Sequence, residues 1–198
     1  MKIDMKILAI LTWILMIGYQ GSAQTKWAID NAHSGVKFTV SHLVISEVEG
    51  GFRSFTGNMT ATKSDFTDAQ IDFAVDVNSI NTDNEMRDKH LKSDDFFNAE
   101  KFPKMTFKSV TFKETGEKQY ELTGDLTIRD VTKRVKFQVT YGGSVKDPYG
   151  NLKAGFKATA VINRLDYGLK WNALTEAGGA VVGTDVTILI NAEFAQQK

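Results

Sequence analysis

Three histidines, His33, His42 and His90, and the carboxylates Asp88, Asp94 and Asp95 have side chains able to hold a divalent metal, because imidazole and carboxylate ligands suit zinc or iron. Their spacing argues against it. No histidine pair stands as His-x-x-x-His, and the neighbouring Asp94 and Asp95 send their side chains apart. Capping and loop hydrogen bonds are the plainer role. Ser34 beside His33 and Ser41 beside His42 set a hydroxyl next to a base, the pairing a hydrolase needs. Yet no Gly-x-Ser-x-Gly elbow exists, and Ser41 falls on the polar row of its segment. Phosphate-cradling glycine motifs are missing too, since Gly178-Gly179 is followed by no lysine and opens no helix. A cysteine count of zero excludes disulfides, thiolate metal sites and cysteine nucleophiles. The residues therefore point to no catalytic group, no metal and no cofactor.

What they do build is a surface with two faces. Period-two alternation runs from Trp27 onward. Val36, Phe38, Val40 and His42 share one face, and Lys37, Thr39 and Ser41 take the other. The pattern recurs over 55–61, 69–77, 105–112, 120–128, 135–141, 156–162 and 186–194. That predicts about eight strands, each wet on one face and apolar on the other. Turn chemistry falls between them at 114–117, at Arg129-Asp130 and at Asp147-Pro148-Tyr149-Gly150. The fold expected is all-β: an eight-stranded antiparallel barrel that closes on itself and so removes its edges. Residues 81–103 interrupt it as a short helical insertion, with Thr82 and Glu85 spaced as a capping box. A second irregular stretch, 165–182, contains Trp171. Loops this long in a compact barrel are packing lids or functional.

Residues 1–23 read as a signal peptide. Lys2 and Lys6 precede an apolar run of about 11 residues, well short of the roughly 20 that span a bilayer. Gly21-Ser22-Ala23 suits cleavage after Ala23, leaving residues 24–198 as one periplasmic or secreted domain. That domain keeps 22 basic and 23 acidic residues. Such balance lacks the clustered excess of Lys and Arg that nucleic acid requires, and gives no general pull toward anionic membranes.

The inward row then carries the function. Phe52, Phe55, Phe73, Val75, Phe107, Phe137, Phe156 and Ile162 join Val36, Phe38 and Val40 on it. Gly57, Gly124, Ala158 and Ala160 occupy apolar-face positions where a filled core favours larger side chains. Eight strands enclose either packed side chains or one slender ligand, and the residues alone leave both open. A cavity so lined suits a long apolar chain, with His42, Arg164 and Trp171 toward its mouth and the first two facing a head group. Two alternatives share the pattern. One is a lipid-modifying hydrolase using His33, His42 or His90. The other is a small outer-membrane barrel with the apolar row turned outward, against which stands the lack of aromatic girdles around Trp27 and Trp171.

The motifs also resemble a known family. Trp27-Ala28-Ile29-Asp30 and His33-Ser34-Gly35-Val36-Lys37-Phe38 are similar to the opening of the YceI family, polyisoprenoid-binding, lipocalin-like proteins. The resemblance continues through Asp88-Lys89-His90-Leu91-Lys92-Ser93-Asp94-Asp95-Phe96-Phe97, Gly124-Asp125-Leu126-Thr127-Ile128-Arg129-Asp130, Asn163-Arg164-Leu165-Asp166-Tyr167-Gly168 and Val182-Gly183-Thr184-Asp185. It implies a lipocalin-like barrel whose channel holds a polyisoprenoid, isoprenoid quinone or fatty amide for storage or transport. It further implies an exported protein, frequently a homodimer, that is neither an enzyme nor an integral membrane protein. Tyr167 in place of the usual Phe, and Thr184 lengthening the usual Gly-Asp turn, are mild departures.

Overall fold

Alternation in the sequence becomes strand nearly throughout. The computed structural model describes residues 24–176 and 178–198, so the expected signal peptide lies outside the described residues. In chain order the elements are β1 (Thr25–Ile29), β2 (Gly35–His42), β3 (Ser46–Phe52), β4 (Phe55–Ala61), β5 (Gln70–Asp76), β6 (Ile80–Asn81), α1 (Glu85–Lys92), β7 (Lys104–Gly116), β8 (Gln119–Ile128), β9 (Val131–Lys146), β10 (Leu152–Asn163) and β11 (Val182–Gln196). Six of the strands are halves of three bent staves. β1 runs into β2, β3 into β4, and β5 into β6 through a 3-10 turn at Val77–Ser79. With β7 to β11 they make eight staves in up-and-down order. β11 pairs back onto the first stave at both levels, Phe194 with Ile29 and Ile190 with Val36. The result is a closed eight-stranded antiparallel barrel.

The apolar row faces inward. Along β8, Tyr120, Leu122, Leu126 and Ile128 are buried, while Glu121 and Asp125 reach outward to Lys136 and Arg134 at 3.2 and 2.7 Å. An outward face carrying such charge pairs is the reverse of the lipid-facing apolar belt of a membrane barrel. Among the described residues no helix is long and apolar enough to cross a membrane. One part of the wall is not laddered. β5 pairs with β7 from Asp72 to Asp76, but β6 pairs only with β3, and residues 82–103 with α1 cover the gap.

Several local features differ from expectation. β3 was not evident in the residue pattern, because the turn between β2 and β3 carries no turn residue. Leu43 and Val44 take φ of 52° and 64°, and the Ile45 N–H donates to the His42 carbonyl at 3.2 Å. Such turns favour Asn-Gly. The helix cap is also displaced. Asn84, not Thr82, caps α1 by accepting from the Arg87 N–H at 3.0 Å. Thr82 instead donates its N–H and hydroxyl to the Asp88 carboxylate at 2.9 and 2.6 Å. The turn at 147–150 is as expected: the Asp147 carboxylate accepts from the Tyr149 and Asn151 N–H groups.

Candidate functional site

The barrel interior holds a cavity of about 200 Å³. Of the expected site residues, Val36, Phe38, Val40, Phe52, Phe73, Val75, Phe107, Phe137, Phe156, Ala158, Ile162 and Arg164 line it. Only Lys37, Thr106 and Arg164 interrupt an otherwise apolar lining. His42, Phe55 and Trp171 stand elsewhere. His42 pairs with Val182 at the tip of β2, Phe55 stacks behind Phe73 at 5.7 Å, and Trp171 packs on Phe96 outside the cavity.

Three glycines decide that this space is open. A Cβ at Gly50, Gly57 or Gly124 would meet the ring of Phe38, Phe73 or Phe107 at 2.4, 2.6 or 2.2 Å. Each ring lies over a residue of the neighbouring strand that has no side chain, Gly50 and Gly57 directly opposite and Gly124 diagonally, and so leaves the lumen clear. Gly57 and Gly124 therefore do not line the cavity themselves. They are the recesses that hold its walls back.

Leu91 of α1, Phe96, Phe97 and Leu169 close one end as a roof. Arg129, held at φ 56° in the two-residue β8–β9 turn, ties that roof down. Its Nη1 donates to the carbonyls of Asp94, Phe96 and Gly168 at 3.0, 2.8 and 3.0 Å, and its Nη2 pairs with the Asp94 carboxylate at 2.8 Å. The Asn98 amide, with Arg129 beside it, holds the Asp94 carboxyl below the usual carboxylate range. His90 bonds Asp95 at 2.9 Å and sets its ring edge-on to Phe96 and Trp171. None of Arg129, Leu91, Phe96, Phe97 and Leu169 was singled out for the site from sequence.

Arg164 is 3% exposed. Its Nε donates to the Gly183 carbonyl and its Nη1 to those of Leu169 and Trp171, each at 2.8 Å. Its Nη2 donates to the Val182 carbonyl at 3.1 Å and the Asn172 side chain at 3.5 Å. All five guanidinium donors are thereby spent, and none remains for a head group. Burial pushes its pKa below the ordinary value. Beside it burial raises the Tyr167 phenol to about 12, with Asp166 adding to the shift.

The remaining histidine serves a corner. At the break between β1 and β2, His33 lies 3.1 Å from Asp30 and 3.8 Å from Glu193. Lys153 reaches the same two carboxylates at 2.5 and 3.2 Å, so an ammonium already supplies the positive charge that a metal would bring. Hydrogen bonding by Lys153, then by His33, lowers the Asp30 pKa to about 2.

A family model described as the YceI-like domain matches residues 27–194. The chain belongs to the YceI family. A UPF0312 protein of Staphylococcus aureus strain N315 is 37% identical to this YceI chain over 172 residues, covering 86% of the chain and 98% of the relative. A mutant Campylobacter jejuni YceI protein with a monobromobimane guest superposes with a TM-score of 0.68 at 28% identity, covering 80% of this chain and 90% of that one. A Saccharophagus degradans domain described as polyisoprenoid binding, and as implicated in plant cell wall breakdown, gives a TM-score of 0.63 at 16% identity over 86% and 98% of the two chains. At that identity the likeness to the YceI chain is one of fold.

Proposed function

We propose that this YceI protein binds the apolar chain of a lipid, an isoprenoid or other long-chain type, inside the barrel for storage or transport. The observation that carries the reading is the apolar cavity inside the barrel, whose lining contains no carboxylate, histidine, serine or tyrosine. Such a wall binds by desolvation. Each buried methylene contributes about 0.8 kcal/mol without any polar contact. Apart from Thr106, exposed Lys37 and the fully hydrogen-bonded Arg164, it provides no acid, base or hydroxyl nucleophile, so the proposal assigns no catalytic step. Entry belongs to the roof, since residues 82–103 are held by side-chain bonds rather than by a strand ladder. The fold shared with the Saccharophagus domain, itself described as polyisoprenoid binding, supports the same ligand class.

The test is native mass spectrometry of gently purified protein, followed by uptake of an isoprenoid quinone or prenyl phosphate by delipidated material. Copurifying lipid or uptake is expected, and finding neither would sink the reading. Phe38→Asp and Phe156→Asp should abolish uptake, while outward-facing Lys157→Ala leaves it intact. Export with cleavage after Ala23 belongs to the same proposal. It predicts that the mature protein begins at Gln24, readable by N-terminal sequencing, and light scattering tells a homodimer from a monomer.

A further inference from the structure

The cavity ends at a slanted layer of side chains. Its lining stops at Phe156 on β10, Val139 on β9, Leu122 on β8 and Phe112 on β7, and reaches one position further on β11, to Phe194 opposite Ala154. One inward position further along β10, β9 and β8, Ala154, Tyr141 and Tyr120 border no part of it, although Ala154 is 1% exposed and Tyr120 3%. Phe66 fills the space below. The loop between β4 and β5 drives it in with φ 61°, its N–H donating to the Lys63 carbonyl at 3.2 Å. Its ring meets those of Trp27, Tyr141 and Phe156 edge-on at 5.5, 5.5 and 5.4 Å. The Tyr120 hydroxyl, donating to the Asp65 carbonyl at 2.9 Å, locks this loop in place.

Phe156 is aimed by the backbone. The β9–β10 register shifts between Gly155 and Phe156, and Gly143 opposite takes φ 113°, a conformation that side chains rarely allow. Four rings surround the Phe156 ring: Tyr141 at 5.2 Å, Phe66 at 5.4 Å, and Phe112 and Phe194 each at 6.2 Å. It is therefore a rigid floor rather than a loose end.

We propose that Phe156, backed by Phe66, gauges how long an apolar chain the barrel accepts, an inference that rests on the lipid-binding reading. Scaled from an apolar protein cavity of about 150 Å³ that holds benzene, the volume of about 200 Å³ takes about eight carbons. That is between one and two isoprene units. A longer lipid buries its terminal segment against Phe156 and leaves the rest of its chain at or beyond the roof.

The experiment uses straight-chain alcohols from hexanol to hexadecanol to displace an anilinonaphthalene sulfonate probe from the delipidated protein. Affinity should rise about fourfold per methylene and level off near eight to ten carbons. In Phe156→Leu and Phe156→Ala the break point should move outward by on the order of three and six carbons, the number each substitution removes, because a core relaxes only partly around a truncation. Lys157→Ala should leave it in place. Phe156→Leu keeps the question open to decision if the alanine variant fails to fold. Affinity that still climbs to hexadecanol in the unaltered protein, or a break point unmoved in both folded variants, overturns the gauge while lipid binding stands. Failure of every alcohol to displace the probe overturns the lipid-binding reading as well.

Discussion

Gly57→Ala isolates the recess that keeps the lumen open. The new methyl would lie 2.6 and 2.7 Å from two carbons of the Phe73 ring and 3.4 Å from Cβ of Ile29. Carbon atoms rest at about 3.5–4.0 Å, so the ring has to withdraw by roughly 1 Å. The methyl stands on the wall side of the ring, and Phe55 is stacked on Phe73 at 5.7 Å with an interplanar angle of 18°. The free direction is into the cavity. Overpacking of this kind costs about 1–3 kcal/mol, which in a domain of this size lowers the Tm by about 2–4 °C per kcal/mol. A lumen narrowed by one methylene's width should also weaken an apolar ligand about fourfold. Thermal unfolding and probe titration read the two effects separately. Adding Phe73→Leu should restore affinity, because a leucine does not span the gap to the new methyl. A variant with a lowered Tm but unchanged affinity would refute the claim that the glycine shapes the cavity, and one unchanged in both would refute the contact itself.

Other groups give sharp expectations. Arg164→Lys keeps the charge but offers three donors to five acceptors, leaving buried carbonyls unpaired at about 1–3 kcal/mol each. Urea unfolding should show a loss of at least about 2 kcal/mol, and equal stability would contradict the clamp. Arg129→Ala frees the roof from four hydrogen bonds. Stopped-flow release of a bound probe should accelerate roughly tenfold or more, the equivalent of one charge-assisted bond, whereas an unaltered rate would mean that the roof is not the gate. Asp30 has a folded pKa of about 2, below its ordinary 3.8, because Lys153 and His33 favour the carboxylate. The stabilisation is therefore complete above the ordinary value and is lost as pH falls toward 2. Asp30→Asn should be less stable than the unaltered protein at neutral pH, with the gap closing over that acid range; a gap independent of pH would count against the pairing.

Strand alternation made the barrel readable, because every stave is wet on one side and dry on the other. Phe38, Phe73 and Phe107 could be placed on the inner row from spacing alone. Whether that row was filled could not, since the answer depends on rings lying over Gly50, Gly57 and Gly124 on neighbouring strands. Composition shows the small residues but not which ring covers them. Arg129 looked like turn punctuation. Its role depends on carbonyls 33 and 39 residues away in sequence, which only the closed fold brings within reach. A charge at a strand end suggests that Arg164 faces a head group, yet its own chain surrounds it with neutral acceptors. Phe55 shares the alternation of the lining but stands one layer behind it. The turn at Leu43 and Val44 broke the rules by which turns are recognised, and so hid β3.

β11 has β10 on one side and both halves of the first stave on the other. First and last strands are partners, so nothing shorter than the whole domain has a continuous wall. A chain still lacking the 15 residues of β11 would be an open, curved sheet with its phenylalanines wetted and two raw edges offered to any neighbour. Pairing across the full length of the chain is also intrinsically slow. Synthesis of this protein thus has a vulnerable interval that lasts until β11 has emerged. A lesion that removes that strand would leave a sticky sheet in place of a weakened barrel, a product for proteases and chaperones rather than a partly working protein.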